Sequence, residues 1–338
     1  MLYLIAVGMV PLYRRYAMSR GILDIANHRS SHEGVTPRGG GLVFMVLWMI
    51  ALVIGAWSGL FARPMLLTFL PGTILVGVLG YWDDHHHMSP KIRLVGQTLA
   101  ALIFLTALGK IDTLYLLHRG IAGHLIAHPW LLWSLLTLFI VWSINLFNFM
   151  DGIDGLASIE ILFVLGVGGF IFWISGAPTL ALLSWTMVVL VAGFLVWNWP
   201  KADIFMGDVG SYSLGFLIAA FAIVGDIWYD IPIALWLILY ALFWFDATLT
   251  LLRRIYFKQH WATAHRDHAY QRLHQAGYSH AQVLAITTTL NIVLAGVALS
   301  AHYYPSKLIW ALCLAGGVVS IWYLWVERLA PQKVSVPG

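Results

Sequence analysis

Long unbroken apolar runs alternate with short polar breaks along almost the whole chain, and most runs are 16 to 22 residues long. A strand crossing a membrane would alternate apolar and polar positions. Continuous runs of about 20 residues, rising about 1.5 Å each, instead match a membrane-spanning helix. The pattern predicts helices near 1–17, 42–60, 65–82, 93–109, 130–148, 156–175, 179–197, 211–225, 232–254, 283–301 and 307–326, eleven in all. The shortest breaks, Ser175-Gly176-Ala177-Pro178 and Ala62-Arg63-Pro64, carry turn residues. The expected fold is an all-α polytopic integral membrane protein of about 11 transmembrane helices. A single domain spans 1–338, with polar loops at about 18–41, 83–92, 149–155, 198–210 and 255–282.

Composition supports this. The 338 residues are 60% hydrophobic and 10% charged, with 17 Trp, whereas soluble domains are about a quarter charged. So little polar surface requires lipid as the solvent. The single cysteine, Cys313, excludes an intrachain disulfide. The first dozen residues resemble a signal-peptide core, but no small-residue cleavage site follows, which predicts a short first helix. Eleven spans place 15 basic residues on one side of the membrane and four, Arg63, Lys110, Arg119 and Lys307, on the other. By the positive-inside bias the richer side is cytoplasmic. Eleven of the 15 acids also fall on that side or at its border. Acids hardly influence orientation, so their crowding points to a site that binds a cation together with phosphates.

Three segments carry that chemistry. Asn148-Phe-Met-Asp151-Gly-Ile-Asp154-Gly155 ends the fifth predicted helix, and spacing by three aligns Asn148, Asp151 and Asp154 on one face if the helix continues. Asp154 is alternatively an N-cap for the sixth helix. Tyr81-Trp82-Asp83-Asp84 ends the third helix, ahead of Lys91 and Arg93; paired carboxylates at a membrane border call for a cation or a phosphate–metal complex beside them. His85, His86 and His87 suit tetrahedral zinc poorly and read as solvated loop residues. In Asn198-Trp-Pro-Lys-Ala-Asp-Ile-Phe205-Met-Gly207-Asp208-Val-Gly210-Ser211, glycines flank Asp208, the first choice for a direct metal ligand. The helix start after it offers N–H groups as a phosphate perch. Two further loops hold basic, imidazole and glycine residues. One runs from Asn27 through Arg29 and His32 to Arg38-Gly39-Gly40-Gly41, the other from Arg253 through Arg266 and His268 to His274. Asp246 and Glu160 lie furthest into predicted helices and receive no role.

In this order, from Asp24 to Gln275, these segments resemble the polyprenyl-phosphate N-acetylhexosamine-1-phosphate transferase superfamily (glycosyltransferase family 4). The first loop, with Arg29-Ser30-Ser31-His32 and Thr36-Pro37-Arg38, looks like its bacterial surface-polysaccharide (O-antigen-type) branch. The resemblance implies a multi-pass enzyme of the bacterial inner membrane with its active site facing the cytoplasm. It implies transfer of an N-acetylhexosamine 1-phosphate from a UDP-sugar to undecaprenyl phosphate, giving undecaprenyl-diphospho-sugar and UMP. Mg2+ is the implied cofactor, with Mn2+ as a substitute; membrane lipids are partners, nucleic acid is not, and a homodimer is compatible. Residue by residue, it implies Asp83, Asp84, Asp151 and Asp154 as catalytic acids and Asp208 as the metal ligand. Asn148, Asn198, Phe205, His268, Arg266 and Arg38 would bind the nucleotide sugar, and Lys91 and Arg93 the lipid phosphate. Trp244 and Phe245 are a candidate wall for the lipid tail.

One departure is that members often show His-x-His-His in the last loop, where this chain has His268-Ala-Tyr270-Gln271. This looks like a subgroup using other amino sugars, such as N-acetylfucosamine or N-acetylquinovosamine, and argues against a phospho-MurNAc-pentapeptide transferase. Two other classes compete. A transporter with an acidic cation site would place charge near the midplane, and an intramembrane metallohydrolase would carry His-Glu-x-x-His, which the chain lacks.

Overall fold

The computed structural model describes residues 1–25, 34–86, 88–109, 111, 128–259 and 266–332. The first three helices are α1 (Leu2–Ser19), α2 (Gly41–Trp57) and α3 (Arg63–His86), with a two-stranded hairpin, β1 (Leu23–Ile25) and β2 (Val35–Pro37), between α1 and α2. Next come α4 (Pro90–Leu108), α5 (Pro129–Met150), α6 (Leu156–Ile174), α7 (Pro178–Asn198) and α8 (Gly207–Tyr229). The chain closes with α9 (Ile233–Leu239), α10 (Ala241–Tyr256), α11 (Ala269–Gln275), α12 (His280–Tyr303) and α13 (Leu308–Leu329). All eleven predicted segments are helical, but the count of eleven spans is not reproduced. Among the described residues eight helices are long and apolar enough to cross a membrane, or nine if α9 and α10 form one bent span. The 17-residue α2 is a shorter apolar helix, and α1 turns polar at Arg14-Arg15.

Other differences follow from local chemistry. The predicted ninth helix breaks at Tyr240, where α9 and α10 meet at 81°. The hairpin and α11 lie in loops expected to lack regular structure. Helix α3 runs on to His86, so Asp83, Asp84, His85 and His86 are helical rather than in a loop. His85 Nδ1 lies 2.7 Å from the Tyr81 carbonyl one turn back, and His87 falls outside the described residues.

The bundle is organised around α8, which is buried from Val209 to Asp226 and packs against α2, α3, α5, α6, α7 and α9. Small residues on α8 and its neighbours allow this close approach. Ser143 of α5 donates to the Gly215 carbonyl at 2.7 Å. At the end bearing the acids, a Cβ on Gly80 of α3 would sit 2.4 Å from the Asp208 carbonyl oxygen and 2.6 Å from Val209 Cα. Those are backbone atoms that cannot step aside. Gly80→Ala is therefore expected to force α3 from α8 and cost about 1–3 kcal/mol, as overpacking does. The check is a lowered melting temperature in detergent together with reduced activity; an unchanged melting temperature would show the contact to be loose.

Candidate active site

Asp83, Asp84, Asp151 and Asp208 come together at one end of the bundle, on the ends of α3 and α5 and the start of α8. Asp83 is fully buried on the last turn of α3. It accepts from Tyr212 of α8 (2.7 Å) and the Met88 N–H (2.8 Å), and forms an ion pair with Arg93 of α4 (2.6 Å). Asp84, also buried, accepts the N–H groups of Asp208 (3.0 Å) and Val209 (3.1 Å). It thus caps the first turn of α8 from another helix, as an N-cap residue normally does from within its own chain segment. This corrects the expectation that those N–H groups are a free perch for phosphate. Arg38 follows β2, with its Nε 3.8 Å from Asp84 and a guanidinium N–H on the Asp84 carbonyl. Its position is set by the hairpin: the Phe205 N–H donates to the Pro37 carbonyl (2.8 Å) and the Gly40 N–H to the Phe205 carbonyl (2.9 Å).

Asp208 lies in the first turn of α8. Asn148 donates to its Oδ1 at 2.7 Å and to Ser211 Oγ at 3.0 Å, which fixes the carboxylate and leaves Oδ2 without a donor among the described residues. Asp151 caps the C-terminus of α5 and receives no side-chain hydrogen bond among those residues. Its enclosure, then the like charges of Asp208, Asp84 and Asp154, push the Asp151 carboxyl well above the usual carboxylate range. Four carboxylates face two guanidinium groups, so the cluster is short of positive charge.

Other expected site residues sit differently. The helix stops at Met150, so Asp154 does not share a face with Asn148 and Asp151. Nor does it cap α6, whose N-cap is Gly155 with φ +76°. Asp154 instead accepts the Ala202 N–H at 3.1 Å and lies 3.1 Å from His280 Nδ1. Asn198 is buried and tied within the protein. Its Oδ1 accepts from the Gly155 N–H and Ser158 hydroxyl (3.1 and 3.2 Å), and its Nδ2 donates to the Ile204 carbonyl (3.1 Å). It therefore shapes the loops more directly than it could hold a base. Phe205 is half-buried, three residues before Asp208. Lys91 is exposed and meets none of the acids among the described residues, so Arg93 is the basic residue of that segment that enters the cluster. Arg266 touches none of the four acids among those residues; its carbonyl accepts from Gln275 at 2.8 Å. His268 begins α11, buried, with its ring stacked on Phe149 at 6.2 Å and 25°.

Sequence reasoning missed Tyr212 and Ser211, although a spacing of four from Asp208 to Tyr212 puts both on one helix face. It also left Asp246 and Glu160 without roles. Glu160 accepts from Asn291 of α12 at 2.7 Å, joining two membrane helices. Asp246 is fully buried and accepts the first N–H of α11.

Among the described residues no group of three His, Cys, Asp or Glu side chains is placed to hold a metal. Magnesium does not require one, because it typically takes one or two carboxylates plus substrate phosphates and water. Asp208, with an undonated oxygen, and Asp151 fit that demand.

The family model described as glycosyl transferase family 4 matches residues 66–226. A probable undecaprenyl-phosphate N-acetylglucosaminyl 1-phosphate transferase of Bacillus subtilis is 29% identical over 308 residues, 89% of this chain and 82% of the relative. An undecaprenyl-phosphate alpha-N-acetylglucosaminyl 1-phosphate transferase of Salmonella typhi is 29% identical over the same shares. A phospho-N-acetylmuramoyl-pentapeptide-transferase of Halalkalibacterium halodurans is 30% identical over 224 residues, covering 64% of this chain and 69% of the relative.

Proposed function

The chain belongs to glycosyl transferase family 4, and from that premise we propose that it transfers an N-acetylhexosamine 1-phosphate from a UDP-sugar to undecaprenyl phosphate, releasing UMP. The observation that carries the proposal is the meeting of Asp83, Asp84, Asp151 and Asp208 with Arg38 and Arg93 at one end of a membrane bundle. The positive-inside distribution of basic residues supports placing that end at the cytoplasmic face of a bacterial inner membrane. Similarity to the N-acetylglucosaminyl relatives runs along 89% of the chain, against 64% for the pentapeptide transferase. That supports the simpler acceptor and donor pair, as the first step of a surface polysaccharide.

A phosphate oxygen of the lipid attacks the phosphorus that carries the sugar, and UMP departs with the electrons of the broken P–O bond. A phosphate monoester, with a second pKa of about 6, is already mostly dianionic at neutral pH, so the obstacle is bringing two anions together. Asp208 and Asp151 would hold magnesium, which supplies charge neutralisation and orientation for the two phosphates. Asn148 keeps the Asp208 carboxylate aimed, and Asp84 holds the helix start that carries it. Arg93, held by Asp83, directly precedes Leu94, which with Thr98, Leu102, Trp133, Leu138 and Val141 lines a groove of about 430 Å³ between α4 and α5. That groove would seat the start of the lipid tail, placing its phosphate at Arg93. Of the two residues expected to wall the tail, Phe245 packs its ring on Tyr323 of α13 at 5.9 Å, whereas Trp244 is exposed. Both oxygens of Asp83 are engaged, as are both of Asp84. This favours direct displacement over a covalent intermediate on either residue.

The test uses purified protein in detergent, magnesium, undecaprenyl phosphate and radiolabelled UDP-GlcNAc, UDP-N-acetylfucosamine or UDP-N-acetylquinovosamine. Labelled lipid and UMP should appear in equal amounts with one of these donors. Release of UMP without labelled lipid, or neither product with any donor, would remove the proposal. The His268-Ala-Tyr270-Gln271 segment makes the two 6-deoxy sugars worth including.

A further inference from the structure

Asp246 lies on α10, deep enough to be wholly buried. Both of its carboxylate oxygens accept the Ala269 N–H, at 2.9 Å each. Oδ1 also accepts the Thr250 hydroxyl, one turn further on, at 3.1 Å, and lies 3.6 Å from His268 Nδ1. A buried carboxylate is costly unless several donors meet it, and here those donors come from α10 and from the start of α11. Helix α11 has only seven residues, too few to hold its own shape in isolation. Its seat on the rest of the protein therefore decides where His268 stands.

That seat leads back to the acid cluster. The His268 ring stacks on Tyr270 at 5.9 Å and 11°, and on Phe149 at 6.2 Å and 25°. Tyr270 donates to the Phe149 carbonyl at 3.0 Å. Phe149 follows Asn148 and precedes Asp151 by two positions, so α11 is docked on the segment that orients Asp208. Other contacts hold different parts of this loop. Glu327 of α13 accepts from Arg253 and Arg272 (2.9 and 2.6 Å), and Arg254 pairs with Asp267. Among the described residues Asp246 is the acid that meets both the first N–H of α11 and the His268 ring.

We propose that Asp246 is a positioning residue for the transfer reaction: it fixes the start of α11 and the His268 imidazole against the Asn148–Asp151 segment, so that the imidazole meets the diphosphate of the nucleotide sugar. The proposal rests on the reading of His268 as a residue that binds the nucleotide sugar, here taken at its diphosphate. It gives a task to a buried membrane acid that the Asp208 machinery does not use.

The experiment is a double-mutant cycle on full-length protein, with undecaprenyl phosphate and whichever UDP-N-acetylhexosamine the donor panel selects. His268→Ala and Asp246→Asn should each lower kcat/KM for the donor by roughly 10- to 100-fold, the worth of one hydrogen bond to a charged group. The donor KM should carry more of the change than the KM for the lipid, a split that general loosening of the bundle would not give. The double variant should be no more than about twofold worse than His268→Ala alone. Multiplying effects, or Asp246→Asn at wild-type level beside an impaired His268→Ala, would overturn the positioning role and leave His268 in place. His268→Ala at wild-type level would overturn the diphosphate reading and the proposal with it. Should melting in detergent show Asp246→Asn unfolded, Thr250→Val replaces it in the cycle. That variant removes one donor to the carboxylate and should give a smaller fall, also suppressed by His268→Ala; no fall, or one that multiplies, overturns the proposal.

Discussion

Asp208→Asn is expected to lower magnesium-dependent UMP release on the order of a thousandfold while leaving the bundle folded. Removing a preorganised charged group at a phosphoryl-transfer centre has effects of that size. The amide keeps the shape of the side chain and can still accept from Asn148, now 2.7 Å from Asp208 Oδ1. The backbone N–H of position 208 remains on Asp84. What disappears is the negative oxygen that no donor meets among the described residues. The measurement is initial UMP release across a magnesium titration, paired with a melting curve in the same detergent. Turnover within tenfold of wild type, at any magnesium concentration, would refute the metal assignment.

Asp84→Ala should lose both activity and stability, and comparison with Asp84→Asn separates the reasons. Alanine leaves the Asp208 and Val209 N–H groups without their acceptor in a buried place, which costs about 1–3 kcal/mol for an unsatisfied group. The first turn of α8 is then free to shift, and activity should fall about a hundredfold or more because Asp208 rides on it. Asparagine keeps one acceptor oxygen and should retain more of both properties. Equal activity losses in the two variants, with an unchanged melting temperature in the alanine variant, would mean that the charge of Asp84 matters and its cap does not.

The contrast between these two acids marks what could be read from the chain. Apolar runs of membrane length announce helices because lipid offers no alternative partner for backbone groups, and all eleven segments are helical in the structure. Asp208 stands out locally, between glycines at the start of a helix. The cap that Asp84 provides crosses 124 positions of sequence, and no spacing rule reaches that far. Asp154 was misplaced because the face it was to share with Asn148 required the helix to continue past Asp151; the turn through Gly152 and Gly155 sends it to Ala202 and His280 instead. Asn198 carries the motif of a binding residue and holds loops together. The sequence around Tyr240 contains no proline or glycine to announce the 81° break, which arises from packing in the assembled bundle.

The enclosure of α8 on nearly all sides has a mechanical consequence. Two bulky substrates, one dissolved in water and one in lipid, must both reach Asp208, yet displacing α8 would disrupt its contacts with six neighbouring helices at once. The catalytic floor is therefore the stationary half of the enzyme. Whatever movement admits and releases the substrates falls to elements that do not pack on α8.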